Sequence, residues 1–224
     1  MTSVAIIVPT LDTGSHCDSI REATQKAGTP CVPYVIMDTI PPKRYTHTIN
    51  RGLRSAFEVE RMALWQSADI TKDRIEWDYI CLMNDDTVPG DNWLAELVWA
   101  MEQDETLGYL APAQPCRTEG MMDATGPTTD SQVRDIFAVP FGCVLIRRKV
   151  FTDVGLLDPT FVHYCSDTDH QYRARAFGWR SAWATHVWVD RESHPPKLAG
   201  LWYQDRAEFY QRWPRMPEVV ERGR

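Results

Sequence analysis

The stretch CLMNDDTVPGDNW, residues 81–93, passes within a few letters from apolar to doubly acidic. Ile80, Cys81, Leu82 and Met83 read as a strand buried on both faces, and the run then meets Asn84, Asp85 and Asp86 before a Val-Pro-Gly turn. Adjacent like charges repel each other and resist desolvation, so the end of a buried strand is a costly place for them. Two explanations stand at this point. One is a solvated turn made of residues with turn propensity. The other is a seat for a cation, because paired carboxylates with a nearby amide are hard oxygen ligands suited to Mg2+ or Mn2+.

Outward from this stretch, strands and helices alternate. Val4 to Val8 is a continuous β-branched and apolar run, as in a strand covered on both faces. Ser15 is placed to cap a helix running to about Lys26, and Val32 to Met37 forms a second strand ending at Asp38. A helix over 48–66 carries Ile49, Leu53, Phe57 and Leu64, and Trp77 to Met83 is the third strand. Asp91 is placed to cap a helix with Leu94, Leu97, Val98 and Met101 on its core face, followed by a strand over 107–110. This order predicts an α/β fold: a mostly parallel central sheet with right-handed crossovers, flanked by helices. Ligands of such sheets bind beyond the carboxyl ends of the strands, where Thr10, Asp38 and Asn84–Asp86 all fall.

The second half is less regular. Residues 112–134 are rich in Pro, Gly, Thr and Asp and predict a long loop. Ile136 to Ile146 predicts one strand in which Gly142 allows a bend or a close backbone approach, 167–177 a helix, and 181–189 a strand. A last helix over 200–213 carries Trp202, Phe209, Tyr210 and Trp213. The organisation expected is a single catalytic domain over 1–195, with a nucleotide-binding part (1–111) and an acceptor part (112–195). A helical appendage and tail fill 196–224.

Bulk properties narrow the function classes. The chain has 224 residues, 43% hydrophobic and 25% charged, with net charge -7 and a pI near 5.4. That balance argues against non-specific nucleic-acid binding, which needs a positive field. The six cysteines are scattered without a C-x-x-C pair, which predicts buried free thiols and a reducing compartment. With no basic leader and no apolar run near ~20 residues, a cytoplasmic protein without a transmembrane segment is expected.

A second polar cluster lies in HYCSDTDHQYRARAFGW, residues 163–179. Asp167 and Asp169 open a helix, where the macrodipole favours anions, and Arg173 stands four residues beyond Asp169. N-capping with a helix ion pair accounts for this pattern, and so does catalysis. His194 follows the last strand, where an imidazole can complete a divalent-metal site.

Together, VAIIVPTLD, Asp38, INRGLRSA, LMNDDTVPGDNWL and FGCVLIRRKVFTDVGLLDPTFVHYCSDTDHQYRARAFGWR resemble, in order, the inverting GT-A glycosyltransferases of family 2. The resemblance spans roughly residues 3–194 and implies a GT-A, nucleotide-diphospho-sugar transferase fold. It implies that Pro9, Thr10 and Asp12 hold the nucleotide, that Asp38 contacts the base, and that Asn50 and Gly52 open a helix near the donor. It implies a Mn2+ or Mg2+ site at Asp86, with Asp85 beside it on the diphosphate and His194 or Asp190 completing the shell. It implies Asp167 as general base, with Asp169, Arg173 and Trp93 supporting it or facing the acceptor. The chain departs from the family at Ser166, where an acid usually precedes the base, and in the histidine after the last strand. The donor implied is a nucleoside-diphosphate sugar, UDP-sugar favoured. The acceptor is left open among a glycan, a lipid-linked intermediate, a protein and a modified nucleic acid, with the 112–134 loop and the last helix as candidate contacts.

The competing reading is a non-catalytic GT-A domain that holds sugar nucleotide or glycan without turnover. Other α/β enzymes fit less well. PTLDTGSH lacks the basic, glycine-rich phosphate loop of a nucleotidyltransferase, Asn84 stands where a dehalogenase-type phosphatase needs its nucleophile, and no G-x-G-x-x-G occurs.

Overall fold

The computed structural model describes residues 2–10, 17–38, 44–66, 77–114, 132–191 and 198–215. Strand β1 (Val4–Thr10) leads through α1 (Cys17–Gln25) to β2 (Cys31–Met37), and α2 (Tyr45–Gln66) leads to β3 (Tyr79–Met83). A short β4 (Thr87–Pro89), α3 (Trp93–Glu102) and β5 (Leu107–Ala113) complete the first half. The second half contributes β6 (Val133–Ile136), β7 (Cys143–Arg147), α4 (Arg148–Val154), α5 (Ser166–Arg175), β8 (Arg180–Arg191) and α6 (Ala199–Arg212).

The sheet runs β2-β1-β3-β7-β5-β8-β4, with β6 also paired to β8. Strands β1, β2, β3, β5 and β8 point one way, and β4, β6 and β7 run against them. The mostly parallel sheet expected from the alternation is therefore present, with β7 inserted antiparallel between β3 and β5.

Alternation along the strands splits the core into two layers. Val4, Ile6 and Val8 of β1, with Tyr79, Cys81 and Met83 of β3, pack against Ile20 and Ala23 of α1 and Leu94, Leu97 and Met101 of α3. Ala5, Ile7, Ile80 and Leu82 point the other way, onto Ile49, Leu53 and Ala56 of α2. Helix α2 approaches β1 closely because residue 52 has no side chain. A Cβ on Gly52 would lie 2.4 Å from Cγ2 of Ile7 and 3.0 Å from Cγ1 of Ile36. Strand β2 forms one margin of the sheet and carries Pro33, as suits an edge. Cys31, Cys81, Cys143 and Cys165 are free thiols, Cys81 and Cys143 fully buried.

Four local expectations are corrected. The residues after the acidic pair do not simply turn: Thr87–Pro89 forms β4 and pairs with 189–191 of β8. Asp91 does not cap α3, because the cap position is Asn92 in the left-handed conformation (φ 59), without a side-chain cap bond. The loop expected over 112–134 gives up its ends to β5 and β6, and 115–131 lie outside the described residues. The strand expected over 136–146 is two strands, β6 and β7. Between them Pro140 has no N–H to offer, and Gln171 of α5 takes both backbone groups of Val139, accepting its N–H (2.8 Å) and donating to its carbonyl (2.7 Å). Helix α4 was not expected from the sequence at all.

Candidate active site

The strand ends converge as their polar residues suggest. The N–H of Asp38 donates to the carbonyl of Thr10 (2.7 Å), tying the end of β2 to the end of β1. The Asp38 carboxylate accepts the N–H of Arg44 (3.0 Å), and Arg51 Nη1 donates to the carbonyl of Met37 (3.3 Å). Thr10 is buried, and Pro9 and Asp38 are half-buried beside it.

At the end of β3, the N–H of Asn84 donates to the carbonyl of Gly142 (2.7 Å), and the N–H of Thr87 closes a tight turn on the carbonyl of Asn84 (3.2 Å). Thr87 Oγ1 donates to the same Gly142 carbonyl (3.3 Å). Asp85 and Asp86 occupy the turn so formed; Asp85 is half-buried and Asp86 only 3% exposed. As donors, two hard carboxylates in one turn fit Mn2+ or Mg2+, which complete their shells with water and phosphate oxygens. Among the described residues no group of three His, Cys, Asp or Glu side chains forms a protein-only metal cage. Asp190 is exposed on β8, its backbone opposite Val88, whereas Asp12 and His194 lie outside the described residues.

Asp167 sits in the first turn of α5, where Cys165 adopts the left-handed conformation (φ 62) just ahead of it. Non-glycine residues pay for that backbone, and such strain gathers at functional sites. Burial pushes the Asp167 carboxyl above its ordinary value, against the opposing pull of the Thr168 and Phe141 amides. Oδ1 accepts the Thr168 N–H at 2.8 Å. Burial and the Asp167 charge also push the Cys165 thiol up to about 12, so it is an unreactive neighbour.

The two acidic sites are joined by the segment Val139–Gly142. Gly142 accepts from Asn84 at one end, the Phe141 amide acts on Asp167 at the other, and Gln171 and Tyr45 hold the segment from outside. Tyr45 does so by donating from its hydroxyl to the Phe141 carbonyl (2.9 Å). This bridge was not singled out in the sequence, whose only signal for it was Val-Pro-Phe-Gly ahead of an apolar run.

Other expected site residues are engaged in holding the fold. Both ends of the Asn50 amide bind the backbone of Leu157, donating at 2.8 Å and accepting at 3.1 Å. Asp169 is fully buried and accepts from Arg173 Nε (2.9 Å), Arg212 Nη1 (3.2 Å) and Trp213 Nε1 (2.9 Å), locking α5 to α6. The rest of the Arg173 guanidinium donates to the carbonyls of Val154 and Leu156. Trp93 lies in the core with its ring N–H on the carbonyl of Ala23 (3.0 Å), so it presents no face to an acceptor. His170 is buried and held neutral, its value lowered by burial to about 4.

The last helix also holds the segment that leads into α5. Asp205 of α6 is buried and accepts the backbone N–H groups of Val162 (3.0 Å), His163 (2.8 Å) and Tyr164 (2.8 Å). This fixes an aromatic chain in which Tyr45 meets His163, His163 meets Tyr164, and Tyr164 meets Trp202 edge-on at 5.2 Å. No helix among the described residues is long and apolar enough to cross a membrane.

No family model and no curated protein sequence matches the chain. Solved structures do. GalNAc-T7, crystallised with UDP, GalNAc and Mn2+, aligns over 85% of this chain at a TM-score of 0.58 and 13% identity. A mutant of Drosophila β1,4-galactosyltransferase 7 in complex with manganese, UDP-Gal and xylobiose aligns over 100% of this chain and 77% of its own, at a TM-score of 0.55 and 15% identity. A197 from STIV aligns over 87% of both chains at 0.50 and 12%. The chain spans 44% of the GalNAc-T7 chain. At these identities the likeness concerns architecture, and the fold of this chain is the GT-A fold of nucleotide-sugar transferases.

Proposed function

We propose that this chain is a metal-dependent, inverting glycosyltransferase of the family 2 type. It would move a sugar from a nucleoside-diphosphate sugar, UDP-sugar favoured, to an acceptor hydroxyl. The observation that carries the reading is the Val139–Gly142 bridge, which ties the Asp85–Asp86 turn to Asp167, a half-buried carboxyl whose proton affinity is raised, within a GT-A sheet. Pro9, Thr10 and Asp38 would hold the nucleoside, and Asp85 and Asp86 would hold Mn2+ or Mg2+ against the diphosphate. The ion, when bound, supplies positive charge that offsets the negative charge of the leaving diphosphate.

Asp167 takes the proton of the acceptor hydroxyl. The acceptor oxygen bonds to the anomeric carbon from the face opposite the diphosphate, and the bond to the diphosphate oxygen breaks with its electron pair. One bond forms and one breaks on opposite faces, so the configuration inverts. A carboxylate that holds its proton more tightly than usual is a better base for this step, and such help is typically worth about 10²–10⁴-fold.

The test is UDP release from UDP-glucose, UDP-galactose and UDP-N-acetylglucosamine by the purified protein, with and without Mn2+. Asp167→Asn should bind UDP as the wild type does while releasing it from the donor far more slowly. Release at the wild-type rate by that variant would remove Asp167 from the base role. Slow hydrolysis of a donor with Mn2+ would favour the enzyme, and metal-independent glycan binding with no turnover would favour the non-catalytic reading.

A further inference from the structure

Gln114 follows the last residue of β5, at the same end of the sheet as Asn84. It is 5% exposed, and its Nε2 finds no hydrogen-bond partner among the described residues. A buried amide N–H2 left unpaired costs stability, and native folds keep few of them without a reason. Its Oε1 lies 3.2 Å from where a Cβ on Gly142 would stand, and Asn84 Nδ2 lies 3.8 Å from the same point. Gly142 thus floors a cradle of two neutral amides packed against its bare Cα, with little room for a Cβ beside Oε1 of Gln114.

We propose that Gln114 recognises the sugar being transferred, its amide donating to a ring hydroxyl of the donor, with Asn84 and the bare Cα of Gly142 completing the subsite. The inference rests on the glycosyltransferase reading and adds to it. In an inverting displacement the transferred ring lies between the diphosphate and the base. The cradle adjoins Gly142, whose carbonyl binds the acidic turn, and the next residue back, Phe141, supplies the amide that acts on Asp167. Neutral amides suit hydroxyls, which both donate and accept. A phosphate would call for a cation or a helix N-terminus instead. Gly142 is small because the ring passes close to the backbone there.

The experiment is calorimetric titration of UDP and of UDP-glucose, UDP-galactose and UDP-N-acetylglucosamine, in Mn2+, into wild type, Gln114→Leu and Gly142→Ala. For Gln114→Leu the UDP affinity should stay at the wild-type value. Its affinity for the sugar nucleotide that the wild type binds best should fall about tenfold, the worth of one well-made buried hydrogen bond. Gly142→Ala, which crowds Oε1 of Gln114, should show the same selective loss. The ligand-free melting temperature of Gln114→Leu should hold or rise, because an unpaired amide has been removed, and this separates a subsite from a folding defect. Equal weakening of UDP and UDP-sugar, or no change in either, would overturn the subsite while leaving the glycosyltransferase reading intact. A wild type that binds neither UDP nor any of the three sugar nucleotides, nor GDP and dTDP nor their glucose conjugates, would overturn the glycosyltransferase reading itself, and the subsite with it.

Discussion

Arg212, the last residue of α6, donates to the fully buried carboxylate of Asp169 at 3.2 Å, so the final helix is fastened to the helix that carries the candidate base. Asp169→Ala would leave Arg173, Arg212 and the Trp213 ring N–H without their shared acceptor. Breaking a buried pair from one side costs about 3–5 kcal/mol. Denaturant unfolding of Asp169→Ala should show a loss of that size, with Asp169→Asn recovering part of it. A loss within error of zero would mean that α6 is not held through this carboxylate.

Asp167 should announce itself through pH. Its proton affinity in the folded chain is raised by burial, above that of the unfolded chain. The folded state is therefore favoured by this group below the ordinary carboxylate value, and that contribution is lost as pH rises through the raised folded value. Asp167→Asn should then melt higher than wild type at pH 7, with the difference shrinking as the pH is lowered into the carboxylate range. Sugar transfer should follow the opposite course, rising with pH through the same titration, because only the ionised form accepts a proton. An Asn variant that melts lower than wild type at pH 7 would contradict the first, and transfer that falls with rising pH over that range would contradict the second.

Asn50 makes a prediction that separates binding from scaffolding. Both ends of its amide are taken by Leu157. Asn50→Ala should lower stability by about 1–3 kcal/mol, the cost of stranding buried backbone groups. The affinity for UDP, measured on the folded variant, should stay within a factor of two or so of the wild type. A large, selective loss of UDP affinity with unchanged stability would support the donor-contact role that the sequence resemblance implies.

The acidic turn should respond to metal. UDP with Mn2+ should raise the melting temperature of wild type, since a ligand at a hundred times its Kd stabilises the native state by about 2.7 kcal/mol. EDTA should abolish most of that rise. Asp86→Ala and Asp85→Ala should show little of it, each measured against its own ligand-free melting temperature. A full metal-dependent shift in both variants would place the ion elsewhere.

Much of this was legible before the structure, and what was not has a physical cause. Val4–Val8 and Ile80–Met83 read correctly because strands covered on both faces need no partner to be recognised. The α3 stripe of Leu94, Leu97, Val98 and Met101 read correctly for the same local reason. The division of 136–146 was hidden because Gln171, 32 positions from Val139, decides it. Asp167 and Asp169 share one residue type and one helical turn, and only partners distant in the chain set them apart: Arg212 and Trp213 for Asp169, Phe141 for Asp167. Gln114 carried no motif, since a neutral amide after a strand acquires meaning only from what surrounds it.

The Val139–Gly142 bridge has one more consequence. In the proposed reaction it would act as a ruler: the separation between the Asp85–Asp86 turn and Asp167 is set by a few covalently linked residues, clamped at Gln171 and Tyr45. Altering the acceptor preference of this chain is then a matter of changing the surfaces around the ruler. Lengthening or shortening the ruler by a single residue would put donor and base out of register.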